Sequence, residues 1–178
     1  MKVEFTIPGE PQGKGRPRFA KVGNYVRTYT PDNTVAYENL VKLEYQRQCG
    51  RYMFSADEML DMRIFAYYGI PKSVSRKRAA LMLNGTIRPS KKPDADNVIK
   101  VVADACNGIA YRDDAQIVDT MVRKFYSDTP HVKVVIKKAS SKKSKMEQYM
   151  QEQYKDIVAL YGIDLLREIV KVYDNEGN

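Results

Sequence analysis

The chain has 178 residues and a mass of 20.4 kDa, enough for one domain with a real core plus an appended element, and too little for a second full-size domain. Its formal net charge of +8 and pI near 9.3 favour a polyanionic partner through phosphate neutralisation and counterion release, which makes nucleic acid the leading partner class. There is no apolar run long enough to cross a bilayer, no apolar core in the opening MKVEFTIPGEP, and no CxxC pair, since Cys49 and Cys106 stand far apart. Neither a membrane span, a disulfide framework nor a thiolate zinc site is expected, and the reading is a cytoplasmic protein.

Alternation of Val3, Phe5 and Ile7 predicts a first strand with one buried face, closed by Pro8 and Gly9. A Gly/Pro/Arg-rich loop is expected over residues 9–24, and residues 25–29 read as a short second strand. Lys14, Arg16, Arg18, Lys21 and Arg27 cluster on and after this loop with Phe19 and Tyr25 interleaved. Its glycines permit close approach to phosphates, so these cations are candidate DNA-backbone contacts; a charged surface loop without a role is the plain alternative.

Thr30 as N-cap with Pro31 at the first helical position predicts a helix to about Cys49, ended by Gly50. Residues 59–70 read as a long strand, 73–83 as a helix stopped by Asn84-Gly85, and 88–93 as a basic loop. Arg76, with Lys72, Lys77 and Arg78, and then Lys91 and Lys92, with Arg88, form two further basic patches, at least one of them an ordinary solvated face.

Over residues 96–110, Val98, Val101, Val102, Ala105 and Ile109 recur at helical spacing, which leaves Asp96, Lys100, Asp104 and Asn107 on the opposite face. Residues 117–126 and 132–136 have the β-branched character of two strands, with Asp128-Thr129-Pro130 as a hairpin connection. The domain is expected to span residues 1–139. Residues 140–178 read as a lysine-rich linker and a helical extension, whose apolar stripe packs on its own domain more commonly than on a second subunit. The expected fold class is α+β, a mixed β-sheet with packed helices.

The chemistry concentrates in Lys92-Pro93-Asp94-Ala95-Asp96-Asn97-Val98-Ile99-Lys100, followed by Asp104 and Asp113-Asp114-Ala115-Gln116. Asp94 and Asp96 bring two hard oxygen donors to the start of a helix, a pairing suited to Mg²⁺ or Mn²⁺. Asp114 lies beyond the same helix, so the fold must carry it back if all three acids are to bind one ion. With His131 the only histidine, an imidazole zinc site is nearly excluded. Carboxylate-held Mg²⁺ suits phosphodiester hydrolysis, and Lys100, one turn from both Asp96 and Asp104, could place positive charge at a developing oxyanion.

The bland alternative makes Asp94 or Asp96 a helix cap, Asp96-Lys100-Asp104 a solvated ladder and Asp113-Asp114 a polar turn. The chain would then be a non-catalytic DNA-binding protein. Asp-x-Asp alone also fits a metal-dependent phosphohydrolase of small substrates.

These segments resemble the RusA family of Holliday junction resolvases. That family's signature is D-x-D-N-x-x-K at a helix start, then D-A-L-N/T, then D-D-x-Q before β-branched residues; here the segments read DADNVIK, DACN and DDAQIVD. The likeness is close over residues 93–119 and looser over 1–138, including a GKGRPR loop at 13–18 like that of phage relatives; residues 140–178 lie outside it. It implies catalytic, metal-binding acids at Asp94, Asp96 and Asp114, an essential lysine at Lys100, and secondary positions at Asp104 and Asp113. It also implies a homodimer making paired nicks in a four-way DNA junction with Mg²⁺ or Mn²⁺. Cys106 stands where the pattern has Leu, a change of packing rather than chemistry.

Overall fold

The computed structural model describes residues 1–22 and 25–140. Contacts divide the chain into Met1–Ala139 and Ser140–Asn178; the expected helical extension falls in the second unit, beyond the described residues. In the first unit, period-two patterning makes β1 (Lys2–Pro8) a strand whose Val3, Phe5 and Ile7 are all buried. Residues 9–17 are irregular, but the loop expected to reach residue 24 is interrupted by β2 (Arg18–Val22), which pairs antiparallel with β3 (Tyr25–Tyr29). The two strands form a ribbon of their own, and β3 is exposed along its whole length.

α1 (Asp32–Cys49) has Pro31 rather than Thr30 at its N-cap, with no side-chain cap bond, and buries Tyr37, Val41 and Tyr45. β4 (Leu60–Gly69) follows. α2 (Arg76–Leu83) starts later than expected because it is Ser75, not Ser73, whose hydroxyl accepts from the Arg78 amide. α3 (Ala95–Cys106) stops short of residue 110. Asn107 leaves helical geometry and bridges to Tyr111, whose hydroxyl donates to the Ala103 carbonyl at 2.9 Å. A 3-10 turn (Asp114–Gln116), β5 (Ile117–Ser127) and β6 (His131–Lys138) complete the unit.

The main sheet has the order β1-β6-β4-β5, with β6 antiparallel to both β1 and β4, and β4 parallel to β5. The fold is therefore α+β with a mixed sheet. The expected β5–β6 hairpin is corrected: β4 lies between the two strands, and residues 128–130 cross its end. Gly69 makes that crossing possible, since a Cβ there would meet Glu10 Oε1 at 2.5 Å and Pro130 Cγ at 3.2 Å.

A parallel pair needs a crossover, which α2 and α3 supply. α3 presents Val98, Val101, Val102 and Ala105 to the core beside α1, none of them more than 1% exposed. Ile109, the last residue of the predicted stripe, lies past the helix and is partly buried.

Candidate active site

The start of α3 lies near the C-terminal end of β4, held there by neighbours distant in sequence. The Lys124 ammonium on β5 donates to the carbonyls of Lys91 and Pro93, the latter at 3.0 Å. Burial foremost lowers the Lys124 pKa, against the pull of Asp94 and with a smaller push from Lys91 in the same direction as burial. From the other side the Lys14 amide donates to the Asn97 carbonyl at 2.9 Å. Gly13 permits this approach, because a Cβ there would sit 2.7 Å from Pro93 Cβ.

Between these walls opens a cleft of about 730 Å³, lined among others by Gln12, Arg16, Tyr68, Lys91, Lys92 and Asp94. It unites four cations predicted to contact DNA, Lys14, Arg16, Lys91 and Lys92, with one of the predicted catalytic acids. Tyr68 and Lys124 were not legible as site residues: each reads locally as an ordinary strand position.

Lys14 differs from the other three in its bonding, and the remaining predicted cations lie outside the cleft lining. Lys14 is tied inward, bridging Glu38 and Asp104 (2.8 Å) with a side chain only 22% exposed. Burial alone would lower its pKa, but the hydrogen bonds it donates to Asp104 and Glu38 outweigh that and raise the value above 10.5. Its charge thus holds the loop to α1 and α3 while its side chain also lines the cleft. Lys21 and Arg27 lie on the exposed ribbon, Arg18 opens β2 opposite Tyr29, and Arg76 begins α2.

The five acids between residues 94 and 114 fall into two groups. Asp104 pairs with Lys14 and, at 3.7 Å, with Lys100, whose side chain is 61% exposed. Asp113 caps the 3-10 turn in a capping box with Gln116, and the Gln116 amide also donates to the carbonyls of Ser55 and Glu58. Asp94 occupies the N-cap of α3 yet makes no cap hydrogen bond, and Asp96 is exposed in the first turn. Among the described residues, no salt bridge or side-chain hydrogen bond engages Asp94, Asp96 or Asp114.

The expected convergence of Asp94, Asp96 and Asp114 does not occur within one chain. Among the described residues no group of three or more His, Cys, Asp or Glu side chains could hold a metal ion. Topology gives the reason. α3 returns from the C-terminal end of β4, where Asp94 and Tyr68 line the cleft, to the start of β5, where Ile117 pairs with Leu60, the first residue of β4. Its twelve residues rise about 18 Å at about 1.5 Å each, and Asp114 sits beyond the far end. The three carboxylates of a single chain therefore do not together fit one divalent ion.

Residues 8–137 match the family model of endodeoxyribonuclease RusA. The chain belongs to the RusA family of endodeoxyribonucleases. It is also similar to the uncharacterized protein YqaN of Bacillus subtilis (strain 168), 36% identical over 141 residues that cover 78% of this chain and 98% of that protein. The RusA match takes in Asp94, Asp96, Lys100 and Asp114 together with the cleft, and ends before the second unit begins. No helix among the described residues is long and apolar enough to cross a membrane.

Proposed function

We propose that this RusA-family chain resolves Holliday junctions, as a homodimer that makes paired nicks in four-way DNA with Mg²⁺, or Mn²⁺ in its place. One observation carries the reading. Of the five acids between residues 94 and 114, the three at the signature's essential positions are those with no salt bridge or side-chain hydrogen bond among the described residues, while Asp104 and Asp113 are engaged in the fold. A carboxylate that serves as cap or ion pair is stabilised by that bond, and these three lack one.

The distance between the Asp94–Asp96 pair and Asp114 favours a shared site. The pair from one protomer meets the partner subunit's Asp114, and two-fold symmetry makes two such sites, the number that paired nicks require. A divalent ion held by Asp94, Asp96 and the partner subunit's Asp114 would supply phosphoryl polarisation and help activate a water. Lys100 projects from the exposed face of α3 one turn beyond Asp96. Arg16, Lys91 and Lys92 grip the backbone beside Asp94, while Arg18, Lys21, Arg27 and Arg76 extend the contact.

A four-way junction incubated with a metal series tests this. The expected result is nicking with Mg²⁺ or Mn²⁺ that is lost in Asp96→Asn; undiminished cleavage by that variant would overturn the assignment. Binding without nicking under every divalent metal would make the chain a DNA-binding protein instead.

A further inference from the structure

Tyr68 is 1% exposed, and its hydroxyl has no hydrogen-bond partner among the described residues. Buried hydroxyls nearly always find one, so an orphan calls for an explanation. Two ammonium groups lie over the ring, Lys91 Nζ at 5.3 Å and Lys124 Nζ at 5.2 Å from its centroid. Tyr68 lines the cleft, and the two acids that act on its hydroxyl, Glu10 and Asp94, line it too. Burial first, then those acids, push the phenol up to about 12, so it keeps its proton and remains a donor at neutral pH. What the cleft offers is thus one neutral donor, Tyr68, with the cations Lys91, Lys92 and Arg16, beside the carboxylates of Glu10 and Asp94.

We infer that the Tyr68 hydroxyl is a phosphate-binding group, donating to a non-bridging oxygen of a backbone phosphate seated among Lys91, Lys92 and Arg16 beside Asp94. Tyr68 is a positioning residue that selects where the phosphodiester rests relative to the acid. Placing DNA as the source of that phosphate rests on the nuclease reading; the anion seat itself does not.

Tyr68→Phe keeps the ring, its packing and both cation contacts, and removes only the hydroxyl. The full chain and this variant are titrated with inorganic phosphate and with a four-way junction, and both are melted. Expected are affinities for both ligands weakened about three- to tenfold, with a melting temperature unchanged or higher because the lost hydroxyl had no partner in the fold. The salt dependence of junction binding stays as it was, since no charge is removed, whereas Lys92→Ala lowers its slope by about one. Unaltered affinity of Tyr68→Phe for phosphate and junction would overturn the inference, and so would a loss of affinity that tracks a fall in melting temperature. A wild type that takes phosphate through Tyr68 but never nicks a junction removes the nuclease reading alone. Conversely, a nicking wild type matched in affinity by the Phe variant removes the phosphate seat alone.

Discussion

Asp96 and Asp104 lie two helical turns apart on one face of α3, and spacing alone offers no way to rank them; the family resemblance ranks them without giving a physical reason. The fold does: Asp104 holds the partly buried Lys14 and steadies Lys100, while Asp96 holds nothing among the described residues. Asp104→Asn is therefore expected to cost about 1–2 kcal/mol of stability, since it leaves an under-compensated ammonium beside α1. Asp96→Asn should stay within about 0.5 kcal/mol of wild type. Denaturant titration of the two variants checks the contrast. The same pair has a pH signature. The folded-state pKa of Lys14 is raised above 10.5, so its contribution is fully present below that value and fades as pH rises through the folded one. In Asp104→Asn that alkaline loss should shrink. Tyr68 and Lys124 escaped the sequence because their significance is relational: a strand tyrosine reads as core until its hydroxyl is seen to lack a partner, and a strand lysine as surface until it clasps the loop before Asp94.

Helices and strands with strong local patterning were legible from residues alone. β1, β4, α3, β5 and β6 lie where their apolar or β-branched patterning puts them, and α1 where its Pro31 start and Gly50 stop put it, within a few residues; β3 also lies where a short strand was expected. What escaped depends on partners remote in sequence. β2 reads as a Gly/Pro/Arg loop and becomes a strand only because β3 offers it a ladder, and the β5–β6 hairpin failed because β4 occupies the place between them. The ribbon that results is exposed on β3 and carries Lys21 and Arg27, close in sequence to Arg16 in the cleft. If ribbon and cleft both track the DNA backbone, Arg16→Ala combined with Arg27→Ala weakens junction binding and lowers the slope of log K against log salt by about two, whatever the junction's sequence. Binding curves at several salt concentrations read this; a slope lowered by only about one would take the ribbon out of the interface, and an unchanged slope would take out both.

For the whole molecule, the parallel β4–β5 pair is decisive. Any helix that connects parallel neighbours runs back along them, so residues just before α3 and just after it fall at opposite ends of the sheet. The segment from residue 94 to 119 showed every acid of the RusA pattern, and the resemblance implied one site; spacing left open how Asp114 would return to the pair, and the crossover shows that one chain divides them. Two chains can reunite them. Mixing Asp96→Asn with Asp114→Asn chains separates the two possibilities, because a heterodimer with shared sites keeps one site intact and loads both substitutions into the other. Each variant alone is expected to be inactive and to lose tight Mn²⁺ binding, and the refolded mixture to regain nicking of one strand per junction along with Mn²⁺ binding in proportion to the heterodimer present. A mixture as inert as its components, in both nicking and Mn²⁺ binding, would contradict a site built from the Asp94–Asp96 pair and the partner subunit's Asp114.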